Sequence, residues 1–285
     1  MCALLACSCA GDSGAGPDAA CLTGTPDCDP SLIVVDDAWL ASRLDTVHIV
    51  DVRAESDYDA WRIPGAIWVD IETLRTTIDG INGQVVGPGE AQEALRGAGV
   101  VGNTTAVVYS DGTEKTATRF LWTLEYYGDA DIRLLDGGWT AWTRADRPEE
   151  SGAPDPRTSN YTVRETVAER RVDADWILAH LDDASVEILD ARADGEYVVG
   201  HIPGAVNIDW ERTVTDPLRG QLLPRNQIEP IYAGIDRDTT VVVYCQTGTR
   251  STVTYTVLRW LGYKDVRLFD GGWAEWESRD LPKEP

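Results

Sequence analysis

The sequence is poor in positive charge: 25 lysines and arginines stand against 48 aspartates and glutamates, for a formal net charge of −23. A nucleic-acid binder needs clustered cations to displace phosphate counterions, so that class of partner is excluded. Long apolar runs are missing too, and none approaches the about 18 residues that a membrane span requires. Histidine is scarce, with His48, His180 and His201 scattered along the chain, and no CxxC pair or His/Cys cluster occurs at zinc spacing. No metal site or cofactor is therefore expected. Five of the six cysteines, Cys2, Cys7, Cys9, Cys21 and Cys28, fall in the first 28 residues and leave Cys245 alone in the rest. A disulfide-stapled core is thereby excluded. What remains is a soluble globular body of 285 residues, long enough for roughly two domains of about 150 residues each.

Residues 1–30 open on a short apolar stretch and continue, rich in Gly, Ala, Asp, Pro and Cys, without periodicity. Such a segment reads as a flexible tail. Leu4-Leu5-Ala6-Cys7 resembles the end of a bacterial lipoprotein signal, in which the cysteine is lipidated. The basic region and apolar length of a full signal are missing, so this reading needs a start upstream of Met1; the alternative is a plain disordered tail. On the first reading a lipid at Cys7, the one membrane contact expected, holds the chain at the cell envelope, where Cys21 and Cys28 can pair. On the second it is cytoplasmic.

The lone cysteine closes a β-branched run, Val241-Val242-Val243-Tyr244, and opens the polar segment Gln246-Thr247-Gly248-Thr249-Arg250. Helical spacing follows from Ser251 to Leu261, with Gly262 as the stop. A cysteine in a strand-to-helix loop sits where backbone N–H groups converge and the positive end of a helix dipole points, which favours an anionic sulfur. Arg250 adds a formal cation, of more weight in a chain so acidic. The plainer reading is a small core residue after a strand. It is disfavoured by the abrupt change to polar residues, by Gly248 and by the basic end of the loop.

From residue 31 the chain says nearly the same thing twice. Val50-Asp51-Val52-Arg53 is answered by Leu189-Asp190-Ala191-Arg192, and Ile63-Pro64-Gly65-Ala66 by Ile202-Pro203-Gly204-Ala205, both offset by 139 residues. Val107-Val108-Tyr109-Ser110 matches Val242-Val243-Tyr244-Cys245, and Asp136-Gly137-Gly138-Trp139 matches Asp270-Gly271-Gly272-Trp273. So long a period, occurring twice, means two copies of one domain. The expected division is a tail (1–30), a first domain (31–146), a linker (147–167) and a second domain (168–285), the boundary falling in the exposed stretch from Arg147 to Asn160. In the second copy strands are expected over Glu187–Leu189, Val206–Ile208, Val241–Tyr244 and Val266–Phe269, with helices over Ala174–Leu181, Asn226–Gly234 and Ser251–Leu261. This alternation implies an α/β fold in which each copy is a mainly parallel β-sheet flanked by helices on both faces, with its site at the carboxyl ends of the strands. Cys245 and Arg192 both follow strands and can meet at one rim. The tryptophan pairs of the DGGW segments read as core anchors, and His201 as a residue holding its turn.

Taken together, the paired strand-Asp-x-Arg segments, the paired IPGA segments, the YCQTGTRS loop and both DGGW turns resemble the tandem-domain rhodaneses over residues 31–285. The resemblance implies a sulfurtransferase in which Cys245 attacks the sulfane sulfur of an anionic donor, holds it as a persulfide and passes it to cyanide or another thiophilic acceptor. It also implies that Gln246, Thr247, Gly248, Thr249 and Arg250 form the loop holding the persulfide, and that Arg192 binds the donor. Small dianions such as thiosulfate suit guanidinium groups. For Arg192 the alternative is a salt bridge to Asp190 or Asp194. The first copy has Ser110-Asp111-Gly112-Thr113-Glu114-Lys115 in place of the loop, a weak nucleophile among carboxylates that repel an anion, so it reads as structural. Thiosulfate is the expected donor, and mercaptopyruvate the alternative because its users resemble a different loop. A cysteine phosphatase, whose pattern has five residues between Cys and Arg where this chain has four, and a non-catalytic persulfide carrier are the remaining alternatives.

Overall fold

Uninterrupted aliphatic runs make the strands, and the polar, glycine-bearing segments after them make the turns. The structure, a computed structural model, describes residues 32–112, 114–129, 131–152, 159–217 and 219–285. The segment read as a lipoprotein signal, with Cys7, Cys21 and Cys28, lies outside the described residues. In chain order the strands are β1 (Val34–Val35), β2 (His48–Asp51), β3 (Ile67–Trp68), β4 (Arg75–Ile78), β5 (Ile81–Val85), β6 (Ala106–Tyr109), β7 (Ile132–Leu135), β8 (Arg171–Val172), β9 (Val186–Asp190), β10 (Val206–Asn207), β11 (Thr240–Tyr244) and β12 (Asp265–Phe269). The sheets run β1-β7-β6-β2-β3 and β8-β12-β11-β9-β10, all parallel. Identical strand orders confirm the duplication. The first copy adds an antiparallel hairpin, β4–β5, which the sequence reading did not foresee, and the second has the antiparallel bridge Val214–Leu222 at the matching place.

Each sheet is buried on both faces, which is why its central strands, AVVY and TVVVY, carry no polar alternation. Outer faces have separate clusters, around Trp142 in the first copy and Trp276 in the second. The inner faces share one core, with Val108, Phe120 and Leu124 in the same cluster as Val243, Val257 and Leu258. Trp142 and Trp276 are fully buried, and their indole N–H groups donate to Pro148 O and Pro282 O, so the second tryptophan of each DGGW segment is a core anchor.

Two expected helices come out shorter. The expected helix from Asn226 to Gly234 is an α-turn, Arg225–Ile228, followed by a 3-10 turn, Glu229–Tyr232. Pro230 has no N–H and its ring clashes with the carbonyl four residues back, so the α-helix cannot continue through it. The other stops at Ala179, where the His180 ring takes the carbonyl of Trp176 at 2.7 Å. Helix Ser251–Leu261 runs as expected, capped by Gly262 at φ 90. The stretch around residue 150, expected as exposed linker, is pinned: Arg62 and Glu150 exchange backbone hydrogen bonds, and the Arg62 guanidinium holds the Glu150 carboxylate at 2.6 Å.

Candidate active site

The strand order turns back between β9 and β11, whose carboxyl ends form the crevice where open α/β sheets bind ligands. Tyr244 lies opposite Asp190, so Cys245 and Arg192, 53 positions apart in the sequence, emerge side by side. Six residues then turn the chain from the end of β11 into helix Ser251–Leu261.

The loop's carbonyls face outward. Cys245 O accepts the Trp273 N–H at 2.8 Å and Gln246 O the Ala274 N–H at 3.0 Å. Gly248 O accepts Arg119 Nη1 at 3.3 Å, and Thr249 O accepts the Thr252 hydroxyl at 2.7 Å. In a trans peptide the C=O and the next N–H point in opposite directions, so the N–H groups of Gln246, Thr247, Thr249 and Arg250 turn to the inside. None of the four donates a hydrogen bond within the described residues. Successive N–H groups without acceptors, following Cys245, are what an anion-binding loop requires.

Glycines make this turn possible. Gly248 has φ +76, and a Cβ there would lie 2.5 Å from Asp270 O. Gly272, the second glycine of DGGW, has φ +58, and its Cβ would lie 2.5 Å from Cys245 O. The DGGW segment therefore serves the loop as well as the core.

Cys245 is only 1% exposed, deeper than expected for a reactive thiol. Its sulfur lies at the edge of the shared core, with polar donors beside it. Ser251 donates its hydroxyl to the sulfur at 3.5 Å. Arg250 forms a two-pronged pair with Glu196, at 2.6 and 2.8 Å. Glu196 first, and then the nearby Cys245 sulfur, hold the Arg250 guanidinium well above its ordinary range, and Arg250 in turn holds the Glu196 carboxyl below its own.

Arg192 is placed as its alternative reading had it, in a salt bridge to Asp190. Its Nε and Nη2 meet that carboxylate at 3.0 and 2.6 Å, and Nη2 also donates to Gly200 O at 2.7 Å. The guanidinium lies over the Trp273 ring, 4.6 Å from its centroid. Arg53 repeats every contact in the first copy, with Asp51 at 2.6 Å, Trp61 O at 2.7 Å and the Trp139 ring at 4.4 Å. Because the copy without a cysteine has it too, this pair is part of the fold. Only Nη1 of Arg192 donates no hydrogen bond within the described residues.

Sequence reasoning missed four neighbours. Ser251 was quoted in the motif but given no role. Glu196 had a signal in the repeat, since Asp57 occupies the matching position, four residues after Arg53. Arg75, whose Nη2 donates to the Thr249 hydroxyl at 2.8 Å, and Arg119 had none, because both come from the other copy. Arg119 is paired at 2.6 Å with Asp270, both side chains fully buried, and also donates to Gly83 O. The first copy thus forms one wall of the loop.

Comparison with known proteins fits this geometry. Residues 36–145 and 173–279 each match the Rhodanese-like domain. A thiosulfate sulfurtransferase of Corynebacterium glutamicum is 32% identical over 268 residues, spanning 85% of this chain and 87% of its own. Another, from Azotobacter vinelandii, is 34% identical over 275 residues, spanning 88% and 97%. The crystal structure of SseA from Escherichia coli, a 3-mercaptopyruvate sulfotransferase, aligns with a TM-score of 0.76 at 27% identity, over 85% of this chain and 98% of that one. Two successive matches to one domain type, in a chain whose two sheets share a strand order, settle its kinship: the chain belongs to the rhodanese-like family, as a tandem-domain sulfurtransferase.

Proposed function

We propose that Cys245 is the nucleophile of a sulfane-sulfur transfer from thiosulfate to cyanide or another thiophilic acceptor. The Cys245 thiolate attacks the outer sulfur of thiosulfate; a new S–S bond forms, the old one breaks, and sulfite leaves with the electron pair. The persulfide anion then occupies the loop, where the N–H groups of Gln246, Thr247, Thr249 and Arg250 meet it. Cyanide attacks the terminal sulfur, thiocyanate departs and the thiolate returns, with charge balanced in both steps. No proton has to be moved, so no general base is required.

The observation that supports this reading is the outward turn of the loop carbonyls, after which the N–H groups of Gln246, Thr247, Thr249 and Arg250 donate to nothing among the described residues. In this proposal Arg192 offers the donor its remaining Nη1. The first copy lends support: there the matching Nη1 of Arg53 lies 3.9 Å from the carboxylate of Asp111, the residue aligned with Gln246. The inactive loop thus carries its own anion where the active one has a neutral amide. Mercaptopyruvate is the alternative donor, favoured by one feature: the arginines around the loop are already paired with carboxylates, which suits a donor of single charge.

Thiocyanate formation from each donor, with wild type and Cys245→Ala, tests the proposal. Wild type should be sulfurated at Cys245 by thiosulfate alone and should release thiocyanate on adding cyanide, while the alanine variant does neither. Turnover surviving in Cys245→Ala, or release of phosphate from an aryl phosphate faster than sulfur transfer, would overturn it.

A further inference from the structure

Four arginines border the cysteine loop, and each has a carboxylate: Arg119 with Asp270, Arg192 with Asp190, Arg75 with Glu72 and Arg250 with Glu196. Asp270 and Asp190 are fully buried, out of reach of an incoming ligand, and Glu72 sits on an arginine that meets the loop only through the Thr249 hydroxyl. Glu196 differs from all three. It stands at the lip, with 35% of its side chain exposed and 26% of its partner's, and that partner is the arginine that also feels the sulfur. Apart from Arg250, it accepts only the Ala193 N–H, at 3.3 Å, from its own short helix.

The duplication separates structural pairs from functional ones. Asp190–Arg192 recurs as Asp51–Arg53 in the copy that lacks a cysteine. Glu196–Arg250 does not recur. Asp57 and Lys115 hold the matching positions, but Lys115 extends over the Trp210 ring, 5.1 Å from its centroid, and makes no ion pair among the described residues. The pair is therefore not common to both copies, and the copy that has it is the one with the cysteine.

We propose that Glu196 is a specificity-determining residue that sets, through Arg250, the charge of the donor the site accepts, an inference that rests on the Cys245 reading above. With Glu196 ionised, a donor meets a thiolate, one guanidinium and one further carboxylate, so Arg250 is half spent before the donor arrives. A dianion pays this repulsion twice and a monoanion once. Glu196 thus acts against thiosulfate more than against a monoanionic mercapto acid, and its partner is the residue a dianion must recruit.

Glu196→Gln keeps the length and one acceptor oxygen for Arg250 and removes only the charge. Two measurements on the full-length protein test the proposal. The first needs no sulfur donor: the rates at which iodoacetate and iodoacetamide alkylate Cys245, followed on the peptide that contains it. The ratio of the anionic to the neutral rate should rise about five-fold in the variant, the effect of one charge about 6 Å away at a part-exposed, solvent-screened pair. The second is steady-state transfer to cyanide, where KM should fall about twenty-fold for thiosulfate and about five-fold for mercaptopyruvate, with kcat within about two-fold. An unchanged or lower alkylation ratio, or equal KM changes for the two donors, overturns the role of Glu196. If wild type turns over neither donor, the sulfur-transfer reading fails, and the alkylation ratio alone then decides on Glu196.

Discussion

Asp270→Asn should cost far more than the same change at Asp136, although the two occupy the same place in the two DGGW segments. Asp270 is fully buried and reaches into the other copy twice, accepting Arg119 Nη1 at 2.6 Å and the Val85 N–H at 2.8 Å. Asparagine keeps one acceptor oxygen, so its amide NH2 must face either a guanidinium or an N–H, donor against donor. Arg119, with no exposed side-chain surface, would keep only two carbonyls, Gly83 O at 3.0 Å and Gly248 O at 3.3 Å. Breaking a buried ion pair costs about 3–5 kcal/mol, and the remaining carbonyls argue for the lower end. At a urea dependence of about 2–3 kcal/mol per molar, that moves the unfolding midpoint down by about 1 M. Asp136 reaches across as well, accepting the Leu222 N–H at 2.8 Å, but has no arginine partner among the described residues. Asp136→Asn, which keeps that acceptor, should be neutral to slightly stabilising at pH 7. Because Arg119 holds the Gly248 carbonyl outward, Asp270→Asn should also lower thiocyanate formation by at least about ten-fold while the protein is still folded. Urea unfolding followed by tryptophan fluorescence, with activity measured below the transition, decides. If the two asparagine variants unfold within about 1 kcal/mol of each other at full activity, the ion pair is not the clamp inferred here.

Burial pushes the Asp136 carboxyl up to about 6, against backbone hydrogen bonds that lower it. Its folded value lies above its unfolded one, so its contribution to stability is complete below about pH 4 and is lost as pH rises through about 6, by up to about 3 kcal/mol. The stability of wild type relative to Asp136→Asn should therefore fall between pH 4 and pH 7; a flat difference would contradict the assignment. Gly248→Ala should abolish turnover and cost about 2–3 kcal/mol, because φ is +76 and the new Cβ meets Asp270 O at 2.5 Å. Gly65→Ala is its matched control, with φ +78 but nothing within 4 Å. It should cost about 1 kcal/mol and leave activity intact, and two alike alanine variants would refute the crowding argument.

The sheets were legible in the sequence because their signal is local. A strand buried on both faces must be apolar throughout, and in TVVVY it is. The duplication then required both copies to share one strand order, as they do. Helix ends were less legible wherever one residue decided them: Pro230 splits its helix, and the His180 ring takes a carbonyl that the continuing helix would have used. The cysteine loop was legible as a loop. Its walls were not, since Arg75 and Arg119 reach Thr249 and Gly248 from more than 100 positions away, and no spacing rule acts over such a separation.

Arg192 shows what a repeat can and cannot tell. Strand-Asp-x-Arg, found in both halves, looks like a site motif when only the half with the cysteine is considered. Its recurrence in the half without one already argued for architecture, and the geometry bears this out, since Arg53 and Arg192 bind their aspartates, carbonyls and tryptophans alike. Two differences between the copies bear on the chemistry. Where the first loop begins with Asp111, the second has Gln246, which withdraws a negative charge from the mouth. Where Lys115 turns away to Trp210, Arg250 turns back to Glu196 and the sulfur. A single fold thus supplies two loops at matching places, and positions 245, 246 and 250 distinguish the one proposed to hold an anionic sulfur. Because the distinction is electrostatic, its effects on Cys245 chemistry must weaken with ionic strength, and more steeply for a dianionic donor than for a neutral alkylating agent.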